Sequence, residues 1–242
     1  MKLSIQLYSL REESAKDFVG VLEYVAQLGL QGVEFAGYYG LSAEELRSHL
    51  DRLGLVCSST HTSAQDIFEK TEETIALHKT LGCKYVIVPG YPMPDAAAAA
   101  DLAKEFLKVK EQFAENGLTL GYHNHGAEFK KENGVYLMDT LMTEADRQIV
   151  MELDTYWSTQ AGVDTPQYMS DHRDILPLIH LKDGDGENLA SIGEGTVDIQ
   201  RILDTAVATD VEWVVLENDD PKPNGFEDAK RSMENLKNKY VF

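Results

Sequence analysis

Short apolar runs alternate with longer segments of helical period along the whole chain, and no other feature constrains its fold as strongly. Strand-like runs fall at 3–8, 32–35, 55–59, 85–88, 118–123, 149–153, 177–181 and 212–216. Helix-like segments fall between them at 14–28, 42–53, 66–81, 95–116, 136–142 and 198–208, and a last one at 226–237 closes the chain. In the first, Phe18, Leu22, Val25 and Leu28 share one helical face, and Gly29 fits a helix stop. Ser42 with Glu45 forms a capping-box pattern, and Gly54 ends that segment. Consecutive strands joined by helical crossovers must run parallel. Eight such units close into a barrel, for which about 250 residues is the common length; this chain has 242. The expected fold is α/β, a single (β/α)₈ TIM barrel, with residues 1–242 as one domain. An open doubly wound sheet is the competing arrangement, but no GxGxxG or Walker sequence follows any strand.

A hydrophobic fraction of 43% supplies one sizeable core. The formal net charge is -19, from 41 acidic and 22 basic residues. That balance repels a phosphate backbone and an anionic membrane surface, so neither nucleic acid nor membrane is an expected partner. A small molecule, neutral or held by a local cation, suits it better. Assembly into a homo-oligomer is compatible with such a chain. Cys57 and Cys83 sit in apolar, strand-like settings without CxxC spacing, which reads as buried reduced thiols. The opening residues read as a first strand rather than a signal peptide. No apolar run reaches the length of about 18 residues that a membrane span needs. These features together fit a cytoplasmic protein.

Chemistry-bearing residues gather where the strands end. These are Glu34, His61, the His123-Asn124-His125 run, Glu152 with Asp154, His180 with Lys182 and Asp183, and Glu217 with Asn218 and Asp219. An eight-fold barrel builds its active site at those carboxyl ends from several strands. Buried ionisable groups are costly unless they pair or bind a metal, so packing alone does not account for the pattern. His123 and His125 are two apart and share a strand face, as do Glu152 and Asp154, and His180 and Lys182. Imidazole and carboxylate together suit Mn²⁺, Zn²⁺, Fe²⁺ or Co²⁺. Near a bound cation the Lys182 pKa is expected to fall, for an acid/base or electrostatic role. Any one such residue is commonly a solvated loop side chain. Glu34 and His61 also fit a structural pair, Tyr156 and Trp157 also fit the core, and Glu128 reads as a loop residue. His49, His78 and His172 read as helical or polar surface positions without a role. Residues 184–195, rich in glycine and acids, read as a mobile loop beside the site.

The motifs Ile5-Gln-Leu-Tyr-Ser-Leu-Arg11, Gly32-Val-Glu-Phe-Ala-Gly37, Gly121-Tyr-His-Asn-His125, Glu152-Leu-Asp154 with Tyr156-Trp157, Ile179-His-Leu-Lys-Asp183, Gly193-Glu-Gly195 before Asp198, and Leu216-Glu217 span the chain. In this order the chain resembles the xylose isomerase-like barrel superfamily, in its sugar phosphate isomerase/epimerase-like branch, which shares the AP endonuclease family 2 fold. The resemblance implies one divalent metal, most often Mn²⁺, with Zn²⁺, Co²⁺, Fe²⁺ or Mg²⁺ as alternatives. It puts Asp154, His180 and Glu217 on the metal. The fourth ligand departs from the family's strand-five Glu; His123 is preferred, with Glu152 or His125 as alternatives. Trp157 stands where isomerases and endonucleases often carry a His, so the extra ligands of a trinuclear endonuclease site look absent. That Trp could stack on a sugar ring.

The resemblance implies proton transfer next to the carbonyl of a ketose or keto-sugar, giving an isomerase or epimerase. Glu152, Lys182, Glu217 and His125 are the expected catalytic residues. Glu34, His61, Asn124 and Trp157 are expected around the substrate. An inosose-type dehydratase or keto-glycoside lyase uses the same chemistry and is the alternative, ahead of a non-catalytic sugar-binding barrel. Arg11 and Lys182 are the only basic residues placed near the site, and no phosphate-binding glycine loop is evident, which favours an unphosphorylated substrate.

Overall fold

The computed structural model describes residues 1–241. Eight parallel strands close into one barrel. We number the barrel strands β1 (Lys2–Gln6), β2 (Gly32–Phe35), β3 (Val56–His61), β4 (Tyr85–Val88), β5 (Thr119–His123), β6 (Val150–Asp154), β7 (Leu178–Leu181) and β8 (Trp213–Leu216). Each pairs with its sequence neighbours, and β8 closes the ring on β1 through Lys2 opposite Trp213 to Ile5 opposite Leu216. Strands β2, β4, β7 and β8 are buried over their whole length, because helices cover their outer face and side chains fill the inner one.

The barrel interior is layered. Its lower part is apolar, formed by Tyr85, Ile87, Leu178, Trp213 and Val215 with Val150 against them. Gly121 belongs to this layer for lack of space: a Cβ there would lie 2.5 Å from Ile87 Cδ1 and 2.8 Å from Val150 Cγ2. Two residues further along β6, β7 and β8 the inward face turns polar. Leu178 gives way to His180 and Lys182, Val150 to Glu152 and Asp154, and Val215 to Glu217. Strand side chains alternate in direction, so this period of two carries one face from apolar floor to ionisable ceiling.

Several helices differ in detail from the periodicity reading. The segment 14–28 narrows to a helix Phe18–Gln27 that starts late because Asp17 caps it through Gly20 N, and a 3₁₀ turn Leu7–Leu10 and a single helical turn Arg11–Ser14 precede it. The segment 66–81 splits into Ala64–Glu69 and Thr71–Leu81 at Lys70, whose φ of -125° and ψ of 41° break the helix. The Thr74 hydroxyl spans the break to Asp66 O. Helices Thr155–Gln160 and Thr165–Asp171 have no counterpart in the periodicity reading, nor do the ribbons pairing Lys131–Glu132 with Val135–Tyr136 and Asp183–Gly184 with Leu189–Ala190. His78 is not a surface residue. It is 1% exposed and packs against β3, since the face of Thr71–Leu81 that carries it is turned inward. Both cysteines are buried and unpaired. Among the described residues no helix is long and apolar enough to cross a membrane.

Candidate active site

Strand register explains how residues far apart in sequence meet. His123 lies opposite Glu152 across β5 and β6, and Asp154 lies opposite His180 across β6 and β7. Glu34 arrives from β2 and His61 from β3, across the barrel. The groups mesh tightly. His61 Nε2 lies 2.8 Å from Glu34 Oε1 and 2.7 Å from Glu152 Oε2. His180 Nε2 lies 2.8 Å from Glu34 Oε2, and His180 Nδ1 lies 2.8 Å from Glu217 Oε2. The His61 and His180 rings stack at 5.2 Å between centroids. Lys182 Nζ sits among three carboxylates, 2.9 Å from Asp154, 2.7 Å from Glu217 and 2.8 Å from Asp219.

Glu34, Glu152, Asp154 and Glu217 are all buried, and Lys182 is the one permanent cation among them. The cluster therefore demands positive charge. Burial works to discharge His61, but Glu34 and Glu152 outweigh it and push its pKa up to about 10. His180 behaves alike: burial opposes its charge, and Glu152, Glu34 and Glu217 raise its pKa well above the usual value. His123 goes the other way, held down to about 3 by burial and by the neighbouring His180. Burial raises the pKa of Glu217, but Lys182 and His180 prevail and hold it well below the usual carboxylate range. The Lys182 pKa is likewise set by its neighbours. Burial lowers it, yet Asp154, Glu217 and Asp219 together hold it well above an ordinary lysine.

The residues present fit a divalent cation. His123, Asp154, His180 and Glu217 each offer a donor atom, and these lie within 4.8 Å of one another. His61, His123, Glu152 and His180 form an overlapping group. His123 Nδ1, Glu152 Oε1 and Asp154 Oδ2 are buried without a hydrogen-bond partner. Lys182 Nζ is close to Asp154 Oδ2, but off the hydrogen-bonding direction, so that contact is one of charge alone. Buried polar atoms are rarely left so, and a mixed N/O donor set of this kind suits Mn²⁺, Fe²⁺, Co²⁺ or Zn²⁺.

The cluster opens into a cavity of about 480 Å³ lined by Tyr8, Ala36, His61, Pro89, His123, His125, Glu217 and Asp219. Of the expected catalytic residues, Glu217 and His125 face it, while Glu152 lies behind His61 and His123. Glu128 is buried and accepts hydrogen bonds from Tyr122 Oη and His125 N, fixing the turn that carries His125. Asn124 is spent on the backbone: its Oδ1 accepts from Asp154 N and its Nδ2 donates to His125 O. Trp157 stands beside His125, with its Nε1 unpartnered and Lys182 Nζ 5.8 Å from its ring. Asp154 Oδ1 caps the helix behind it, accepting from Tyr156 N and Trp157 N. Tyr8 and Asp219 join the lining although the sequence assigns neither a role, Asp219 standing only among the polar strand-end residues. The signal lies in their spacing, since each is two positions beyond an inward residue, Gln6 and Glu217. The segment 184–195, expected to be mobile, is tied down: Asp183 accepts hydrogen bonds from Gly193 N and Gly195 N within it.

The family model described as xylose isomerase-like TIM barrel matches residues 22–239. No curated protein matches the sequence. Among solved structures, a sugar phosphate isomerase/epimerase from Parabacteroides distasonis is 24% identical with a TM-score of 0.86, covering 98% of both chains. A 3-keto-D-glucoside 4-epimerase from E. coli is 14% identical with a TM-score of 0.74, covering 98% of this chain and 99% of its own. A probable 3-DHS dehydratase from Bacillus anthracis is 17% identical with a TM-score of 0.77, covering 99% of this chain and 100% of its own.

Proposed function

The chain belongs to the xylose isomerase-like TIM barrel family, and from that premise we propose that it is a divalent-metal-dependent isomerase or epimerase moving a proton next to the carbonyl of a ketose or keto-sugar. The observation that carries this reading is the convergence of His123, Asp154, His180 and Glu217 at the floor of a sugar-sized cavity, with unpartnered donor atoms among them. Structural likeness to a sugar phosphate isomerase/epimerase and a 3-keto-D-glucoside 4-epimerase supports it.

His123, Asp154, His180 and Glu217 would hold the cation, with Glu34 orienting His180. A bound divalent cation would supply Lewis acidity, polarising a carbonyl oxygen and acidifying the C–H beside it. Glu217 opens on the cavity beside Asp219, is among the groups that would hold the cation and stays ionised, so it is the proton acceptor. Glu152 reaches the cavity only past His61, with which it shares a 2.7 Å contact. That relay lets His61 deliver a proton from a second direction, as inversion at one carbon requires. Lys182 stays charged and acts as a fixed positive charge beside Glu217. His125, at the cavity mouth, donates to a substrate oxygen. Loss of a group β to the new carbanion would turn the same step into elimination, and the fold likeness to a probable dehydratase keeps that second reading in view.

Incubating ketoses with the Mn²⁺-loaded protein in D₂O tests the reading. Deuterium is expected at a carbon next to the carbonyl, without loss of water. Absence of exchange, together with no bound divalent ion by metal analysis, would overturn it; a dehydrated product would favour the second reading.

A further inference from the structure

Glu217 and Asp219 both line the cavity, and Asn218 stands between them. Its side chain points the other way, as alternation at a strand end predicts, toward the last helix, Gly225–Lys239. There Asn218 Nδ2 donates to Asp228 Oδ1 at 2.9 Å. The rest of Asn218 is fixed as well: its N donates to Ser9 Oγ at 3.0 Å, and its Oδ1 accepts from Asp220 N at 2.9 Å. Asp228 Oδ1 also accepts from Ser191 Oγ at 2.7 Å. Ser9 belongs to the turn after β1 that carries Tyr8, and Ser191 to the loop after β7. Three strand-end loops are therefore joined around one carboxylate, 5% exposed.

Stability does not ask for a carboxylate in this place. The nearby Arg231 Nη2 is 3.9 Å from Asp228 Oδ1 and is spent on Ser191 Oγ at 2.8 Å. Burial pushes the Asp228 pKa up, against the pull of Ser191 and Asn218. A neutral side chain would cost less to bury. Both bonds fall on Oδ1, which leaves Oδ2 open to a further donor among the described residues. A small pocket of about 10 Å³ adjoins it, bordered in part by Ser9, Glu217, Asn218, Asp228 and Ser232. That is about the least space that holds one water. Ser232 follows Asp228 by four positions and so shares its helix face. Ser9 Oγ and Ser232 Oγ each accept one backbone N–H, from Asn218 and Ile192 at 3.0 Å, so each hydroxyl keeps its hydrogen to give. A water there accepts from the two hydroxyls and donates to Asp228 Oδ2, with Glu217 against it.

We propose that Asp228 is a positioning residue, which fixes Glu217 and Asp219 at the cavity through Asn218 and through one water held in the small pocket. The kinetic consequence rests on the keto-sugar reading above; the anchoring itself does not.

Asp228→Asn keeps the shape and the Oδ1 acceptor but removes the charge and the Oδ2 acceptor. Asn218→Ala cuts the tie from its other end, and carries the test if Asp228→Asn fails to fold. Ile202→Val, buried in the helix Ile199–Ala208, is the control for lost stability alone. A high-resolution crystal structure of the metal-free wild type is expected to show one water on Asp228 Oδ2; a dry pocket overturns the water's role. Titration calorimetry is expected to show Mn²⁺ affinity lowered about tenfold or more in Asp228→Asn and Asn218→Ala, and unchanged in Ile202→Val. Asp228→Asn should do so with little change in Tm. In D₂O exchange with a ketose, kcat should fall about tenfold in both variants while KM stays within about threefold. Wild-type Mn²⁺ affinity and kcat in both variants overturn the positioning role. An equal loss in Ile202→Val does the same, since it marks the effect as one of stability. Absence of exchange in every protein, beside the expected water and Mn²⁺ results, sinks the keto-sugar reading and leaves the positioning role standing.

Discussion

Single side chains at the barrel mouth hold one another in a tight charge balance. Lys182 is 1% exposed and neutralises Asp154, Glu217 and Asp219 at once. Lys182→Met leaves those carboxylates uncompensated, and the metal-free protein is expected to lose about 3–5 kcal/mol of stability. Denaturant unfolding with EDTA, then with Mn²⁺, checks this: the ion should restore part of the loss, and equal midpoints for variant and wild type in EDTA would refute it. Glu34 acts on the site through two histidines, touching His61 and His180 at 2.8 Å each. Glu34→Gln keeps the shape and removes the charge. Titration calorimetry is expected to show Mn²⁺ binding weakened about 10–100-fold, the usual effect of losing a partner that orients a metal-bound histidine.

At the level of elements, β3 is braced by the helix Thr71–Leu81. His78 Nδ1 donates to Thr74 O at 2.6 Å, and its Nε2 accepts from Thr60 Oγ1 at 2.7 Å. Thr60 precedes His61, so the brace holds the strand end that enters the site. Burial depresses the His78 pKa from 6.5 to about 4, against the pull of Thr74 O. Between those values the unfolded chain binds a proton that the folded chain refuses. The contribution of His78 is therefore whole above pH 6.5 and lost as the pH falls toward 4. At about 1.4 kcal/mol per unit it reaches about 3 kcal/mol. Urea unfolding at pH 7 and pH 5 should show the acid loss reduced in His78→Gln; identical pH slopes would count against the brace.

The whole molecule closes a ring of eight strands, and that closure lets a small ion act on global stability. Four strands donate the groups that would hold it, so binding favours only the folded barrel. At about 100 times its Kd, Mn²⁺ is expected to add about 2.7 kcal/mol. For a chain of this size that raises Tm by roughly 5–10 °C. Calorimetric scans with Mn²⁺ and after EDTA read this directly, and superimposable scans would argue against the site. Affinity should fall as the pH is lowered, because His180 must give up a proton to become a ligand and its neighbours hold that proton firmly.

Local periodicity determined a great deal. Alternating apolar runs and helical segments specify parallel strands with crossovers, and their number specifies a closed barrel. The period of two within a strand also makes the inward face legible, so Asp154, His180 and Glu217 stand out along the chain as inward-facing strand ends. Tertiary structure decided what those residues meet. Glu34 and His180 are 146 positions apart and touch only because the ring closes. His78 has the local pattern of a surface histidine and became a brace because of which helix face packs on β3. Lys182 is flanked in sequence by a single acid, yet the barrel surrounds it with Asp154, Glu217 and Asp219. The glycine-rich segment after β7 reads as free chain until Asp183 is seen at its centre. Backbone period is a property of neighbours along the chain, whereas charge, burial and hydrogen bonding are set by neighbours in space, and closing the barrel is what made the two coincide.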